Sequence, residues 1–174
     1  KARSGKSALL HNMGETLAAS SLPERQVQEI LNVSDELLMN ALFNAPADRN
    51  GVPINRSLPR NADVILEDSQ AVTVQMGHTE MHLILSVKDR FGSLSKKQLK
   101  MSLLRAMNKG VSQLRKGEPG AGIGIYCAWS MMSHLHIDLL PGAFTQVAAL
   151  FPLEQRSRVS LRTFRGFSLI TSEK

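Results

Sequence analysis

Glu36-Leu37-Leu38-Met39-Asn40-Ala41-Leu42 is the stretch on which the reading of this chain turns. An α-helix advances ~100° per residue. At that step Val27, Ile30, Leu31, Leu37, Leu38, Ala41, Leu42 and Ala45 share one arc, and Glu36, Asn40 and Asn44 form a polar edge beside it. The pattern predicts a helix over Pro23 to Ala45 with its apolar arc in a core. Glu36 and Asn40 stand one turn apart and point the same way. A carboxylate and a carboxamide oxygen at the rim of a core can hold a hydrated Mg²⁺, a hard cation that takes oxygen ligands and keeps several waters. The same spacing fits a solvated helix edge, which on spacing alone is the commoner case.

Composition sets the frame around that helix. The chain has 174 residues and 43% hydrophobic content, enough for one domain with a single core. Its apolar runs are short, so no membrane span is expected, and no secretory signal pattern opens the sequence. The single cysteine, Cys127, has no internal disulfide partner and suits a reducing, cytoplasmic setting. It reads as a small core residue on a helix. The net charge of +6 favours anionic partners such as nucleotides, acidic proteins or nucleic acid. Aromatic content is only 5%, thin for a platform that stacks single-stranded bases on rings. Nucleic acid is therefore the least favoured of these partners. The opening at Lys1, without an initiator Met, reads as the cut end of a longer protein.

Outward from the central helix, residues 1–20 read as a helical extension or linker. Lys1 to Ser7 is basic and expected to be mobile. Its Gly5-Lys6-Ser7 has the tail of a phosphate loop but not the upstream glycine or preceding strand. Ala8 to Ala19 carries Leu9, Leu10, Met13 and Leu17 at helical spacing. His11 on that helix reads as a surface or packing residue. Ser21-Leu22-Pro23-Glu24 has the form of a capping box, Pro46 ends the long helix, and Ala47 to Asn61 is a loop. Three strands are expected as an antiparallel meander, Ala62 to Glu67, Ala71 to Met76 and Met81 to Val87, with turns at Asp68-Ser69 and Gly77-His78. His78 and His82 on that hairpin do not converge on one zinc ion.

The third strand ends in Lys88-Asp89-Arg90-Phe91-Gly92, an acid and then a glycine at a strand end, which suits either a ligand cleft or a turn. Ser95 is placed to cap a helix through Met107 with Leu99, Leu103, Leu104 and Met107 inward. Asn108 to Pro119 is loose and basic. Gly120-Ala121-Gly122-Ile123-Gly124 then opens a helix, where backbone N–H groups favour an anion. No strand directly precedes it, so it is either a phosphate cradle of another kind than the dinucleotide turn or a close-packed helix start. A hairpin follows, Leu135 to Leu140 and Thr145 to Phe151 around Pro141-Gly142, with His134 and His136 at its start read as structural. Arg158 to Thr163 alternates as a half-buried strand. Gly166 is expected to allow a bulge or turn before Phe167 to Ile170.

Three stations thus stand in order: Glu36 and Asn40 on a helix, Asp89-x-x-Gly92 after a strand, and Gly120-x-Gly122-x-Gly124 opening a helix. In this order they resemble the ATP-binding domain shared by histidine kinases, Hsp90, DNA gyrase and MutL, the GHKL superfamily with its Bergerat fold. Glu36 to Leu42 is similar to that family's N box and Gly120 to Ile125 to its second glycine box. The resemblance covers Ser21 to about Pro152, so 21–153 is expected to be the histidine kinase-like ATP-binding domain and 154–174 a C-terminal strand extension of it. It implies an α/β (α+β) two-layer sandwich, a mixed and mostly antiparallel sheet with helices on one face.

The resemblance also implies roles. Asn40 would ligate Mg²⁺, with Asn44 beside it at the nucleotide. Asp89 would bond the adenine amino group, and Thr145 would lie near the adenine. Gly92, Lys116, Gly120, Gly122 and Gly124 would line the nucleotide and its phosphates, with Phe91 to Gly120 as the lid. Glu36 would be the base or orient the nucleophile. Phe91 and Ser93 depart from the family, occupying positions where its first glycine box has glycines. A phospho-accepting helix pair is also missing, which brings the chain closer to soluble anti-sigma-factor serine kinases or to a stand-alone output domain of a bacterial two-component regulator. Two functions follow from the resemblance: Mg-ATP-dependent phosphoryl transfer to a partner protein, or a degenerate nucleotide-binding or protein-interaction module without kinase activity. Homodimerisation is compatible with both.

Overall fold

The computed structural model describes residues 2–3, 5–48, 50, 52–55, 57–59, 62, 64–101, 132–153 and 166–172 of the 174. The chain enters through a short strand, β1 (Ala2–Arg3), and two helices, α1 (Lys6–Ala18) and α2 (Glu24–Met39). A single π-helical turn, Asn40–Asn44, continues α2. Next come β2 (Ile65–Leu66), β3 (Thr73–His78), β4 (His82–Asp89), β5 (His134–Leu140), β6 (Phe144–Pro152) and β7 (Gly166–Thr171).

The last five strands form one sheet in the order β3-β4-β6-β5-β7. All neighbours run antiparallel except β7, which lies parallel to β5 at the edge. Period-two alternation decides what this sheet buries. Leu83, Leu85, Val87 and Asp89 of β4 are buried and alternate with half-buried His82, Ile84, Ser86 and Lys88. In register with them stand Phe151, Ala149, Val147 and Thr145 of β6, and Leu135, Ile137 and Leu139 of β5. One face therefore carries the core, and α2 with its π turn packs against β4. The architecture is α+β, a five-stranded mixed sheet covered by helices on one face.

The helix layer keeps most of the expected arc. Ile30, Leu37, Leu38, Ala41, Leu42 and Ala45 are buried, while Val27 and Leu31 pack partly exposed against the core. Val33, Ser34, Met39 and Phe43 are buried as well, because α1 lies along α2 and sends Met13 and Leu17 into the same core. The Ser34 hydroxyl donates to the Ile30 carbonyl one turn back, at 2.8 Å, which satisfies it inside the core. Gln26 Nε2 donates to the Pro152 carbonyl at 2.6 Å and ties the first turn of α2 to the end of β6.

Several local expectations are corrected. The long helix is not α-helical throughout: the Ala45 amide reaches back five residues to the Asn40 carbonyl, at 2.8 Å. Its start has no side-chain cap, and Pro23 itself occupies the N-cap position. The basic terminus is not a free tail, since β1 pairs with β2 and Lys6, in the first turn of α1, forms an ion pair with Asp35 of α2 at 2.5 Å. That pairing takes β2 out of the expected meander, which reduces to the β3–β4 hairpin. Gly77 and His78 are strand residues, and the turn falls at Thr79, whose hydroxyl accepts the amides of Met81 and His82. Gly166 begins β7 opposite His134 rather than interrupting the chain before it.

Other expectations hold. Ser95 caps the helix that starts at 96, accepting the Gln98 amide at 3.1 Å while Gln98 Oε1 accepts the Ser95 amide at 2.9 Å. Leu99 is buried beneath it. The hairpin of β5 and β6 turns at Pro141 to Ala143. The expected helix beyond 101, the Asn108 to Pro119 segment, the second glycine box with its helix, Cys127 and the Arg158 to Thr163 strand lie outside the described residues.

Gly92 joins the end of β4 to that hairpin turn. It holds φ +56, and its carbonyl accepts the Gly142 amide at 3.1 Å. A Cβ there would sit 2.3 Å from the Leu140 carbonyl oxygen. Gly92→Ala should therefore destabilise the fold by more than the ~1–2 kcal/mol of the left-handed conformation alone. Urea unfolding measures this, and an unchanged midpoint with an unchanged slope would show that the contact is not made.

Candidate functional site

The candidate site starts from a polar pair in an apolar row. Asp89 ends β4 on the helix-facing side, and alternation buries it with the leucines before it. Its cross-strand partner on β6 is Thr145, also buried. A buried carboxylate demands donors. The amides of Phe91 and Gly92 supply them, donating to Oδ1 at 2.9 and 3.1 Å. Burial nonetheless holds the Asp89 carboxyl above its ordinary value of 3.8, against the opposite pull of the Phe91, Gly92 and Thr145 amides and of the Thr145 hydroxyl. That hydroxyl lies close enough to favour the ionised acid but completes no hydrogen bond with it. Among the described residues, Thr145 Oγ1 is buried and has no partner in hydrogen-bond geometry. Leaving such a group unpaired costs ~1–3 kcal/mol, so it marks a place where a polar ligand group gains more than it does on the surface.

The second part of the site is the π turn. Single π turns inside α-helices occur frequently at functional sites, since one extra residue rotates the side chains that follow. Here the turn begins at Asn40. Asn44 Nδ2 donates to Asn40 Oδ1 at 2.9 Å, so the two carboxamides form one half-buried unit. The Asn40 oxygen keeps a second lone pair for a cation. Glu36 precedes it on α2, half-buried, and the Asn40 amide donates to the Glu36 carbonyl. The turn packs against β4, the strand that ends at Asp89.

The predicted residues thus divide. Asp89, Thr145 and Gly92 meet at one end of the sheet, and Asn40 and Asn44 meet on the π turn beside Glu36. Gly92 is fully used within the protein, its N–H on Asp89 and its carbonyl on Gly142. Lys116, Gly120, Gly122 and Gly124 lie outside the described residues. Sequence reading set Asn40 and Asn44 on one polar edge but missed the π turn and the hydrogen bond between the two side chains, for which their i, i+4 spacing was the available signal. It also missed a concavity of about 380 Å³ on the opposite face of the sheet, lined by Ser69, Lys88, Arg90, Ala143 and Phe144. Lys88 flanks Asp89 in sequence, but alternation turns it away, and its Nζ lies 3.9 Å from the centre of the Phe144 ring. That concavity is not the Asp89 site.

No protein-family model matches this chain, and comparison with curated proteins gives no match.

Two measurements follow from the polar pair. Because the Asp89 carboxyl binds its proton more tightly when folded, its contribution to stability is greatest below the unfolded value of about 3.8 and is lost as pH rises through the higher folded value. Asp89→Asn should remove that fall, so the variant should gain stability relative to wild type as pH rises above about 3.8. A pH-independent difference in urea midpoints would contradict the assignment. Thr145→Val keeps the shape and removes the orphan hydroxyl, and should raise the thermal midpoint of the ligand-free protein. A lower midpoint would mean that the hydroxyl is partnered.

Proposed function

We propose that this chain is a Mg-ATP-binding domain of the GHKL type, with the Bergerat arrangement of the α+β sandwich, belonging to a bacterial cytoplasmic signalling protein. The observation that carries this reading is the buried Asp89–Thr145 pair with its unpartnered hydroxyl. An acceptor carboxylate beside a free hydroxyl matches the donor and acceptor edge of an adenine. The Asn40–Asn44 pair on the π turn supports a second contact, a carboxamide oxygen for hydrated Mg²⁺ on the phosphates. Glu36, one turn earlier, supplies a carboxylate to orient or deprotonate an attacking hydroxyl of a partner protein. Lys116 and the glycines at 120, 122 and 124 complete the phosphate side in this proposal.

One observation favours a second reading. Phe91 stands where the family has glycine, and it packs partly buried against the core while its amide occupies Asp89. A domain so filled would act as a nucleotide-poor, protein-binding output module.

Titration calorimetry with Mg-ATP separates the two. The first reading expects saturable binding. Asp89→Ala should then lose at least ~10-fold in affinity, the equivalent of a hydrogen bond to a charged group at ~1.5–3 kcal/mol. Asn40→Ala should abolish the Mg²⁺-dependent part of the affinity. Glu36→Gln should bind within a few-fold of wild type while any phosphoryl transfer or hydrolysis falls by ~10²–10⁴. No binding at millimolar Mg-ATP would establish the second reading.

A further inference from the structure

The sheet face turned away from the helices carries a cluster that the proposed nucleotide site does not use. His134 and His136 alternate on β5, so both side chains project from that face. Ser168 of β7 lies opposite His136 in the parallel register, and Gly166 lies opposite His134. His134 Nε2 stands 3.0 Å from Ser168 Oγ, and His136 Nδ1 stands 2.6 Å from the same oxygen. Gly166 makes this convergence available. A Cβ at that position would fall 1.9 Å from His134 Nδ1, so the ring lies over the space that glycine leaves.

Two imidazole nitrogens aimed at one point are a metal-chelating geometry. A serine hydroxyl has one hydrogen, so it can donate to only one of the two ring nitrogens and accepts an N–H from at least one. The hydrogen-bonded cluster therefore spends at least one nitrogen as a donor. Exchange of each such ring to its other tautomer turns its N–H to the far side and leaves both inward nitrogens as lone-pair donors. We propose that His134 Nε2 and His136 Nδ1 bind one divalent transition-metal ion of the zinc and copper class, with Ser168 Oγ and water completing its shell. Imidazole suits Zn²⁺, Cu²⁺ and Ni²⁺, whereas Mg²⁺ takes oxygen ligands. Among the described residues no three His, Cys, Asp or Glu side chains group around one ion. The site is accordingly open, unlike a closed four-ligand structural zinc site. Bound there, the ion bridges β5 to the edge strand β7. This inference does not depend on the nucleotide site.

The test is titration calorimetry with Zn²⁺ and Cu²⁺ on the full chain carrying Cys127→Ser, so that the thiol does not compete. About one equivalent should bind, with no heat from Mg²⁺. His134→Ala and His136→Ala should each weaken binding by more than ~10-fold, since even second-shell losses reach that size. His78→Ala and His82→Ala should leave it unchanged, and Ser168→Ala, which keeps both nitrogens, should stay within a few-fold of wild type. Electron paramagnetic resonance of the Cu²⁺ form should show coupling to two imidazole nitrogens, a readout that needs no variant to fold. Absence of binding at millimolar Zn²⁺ and Cu²⁺, binding indifferent to His134→Ala and His136→Ala, or a Cu²⁺ spectrum without nitrogen coupling would each overturn the proposal.

Discussion

The sheet has one apolar face, and among the described elements α2 with its π turn packs against it. Leu83, Leu85 and Val87 of β4 meet Phe151, Ala149 and Val147 of β6, with Leu135 and Ile137 of β5 beyond. A one-residue slip in any of these pairings would turn the buried set to the other face. Each such Leu or Phe gains ~1.5–3 kcal/mol from burial, so the register is held by the whole row rather than by one contact. The position of α2 follows from the same row, fixed at its start by Gln26 on Pro152 and along its length by packing on β4.

That constraint also explains why a carboxylate is buried. Asp89 is the next inward position after Val87, and no alternation-respecting strand could end there without turning it inward. The chain answers with a tight bend: Phe91 and Gly92 fold their amides back onto the acid, and Gly92 takes the left-handed conformation needed to meet the β5–β6 turn. Thr145 is forced inward by the equivalent position on β6 and finds no such answer among the described residues. The difference between the two residues, one satisfied by its own backbone and one orphaned, is what singles out this corner of the core.

The outward face obeys the same period with a different result. His134 and His136 of β5 are brought to one oxygen only because β7 runs parallel beside them in a register that sets Ser168 across from His136 and a glycine across from His134. Lys88 and Arg90, by contrast, gather around Phe144 and Ser69 at the end of the sheet that also holds Asp89. Two faces of one sheet thus carry unrelated chemistry, separated by the thickness of a strand.

Sequence alone determined the elements whose periodicity is strong. The apolar arc of α2, the alternation of β4, β5 and β6, the Ser95 cap and the Pro141-Gly142 turn are all set by local spacing, because burial on one face leaves a pattern of period 3.6 or 2 that a single chain displays. The candidate residues Asp89, Thr145, Asn40 and Asn44 were legible as polar positions within such patterns. What the pattern could not contain was decided in three dimensions. The π turn spans only five residues, Asn40–Asn44, too few for an α-helical wheel to register a change of period. The pairing of β2 with β1 joins residues far apart in sequence, and short strands carry too few positions to announce their partners. Asp89 and Thr145 face each other only because β4 lies beside β6, and His134 and His136 share Ser168 only because β7 comes to β5. Strand order and register are properties of how the faces pack together, and they placed side by side the groups that the sequence had kept apart.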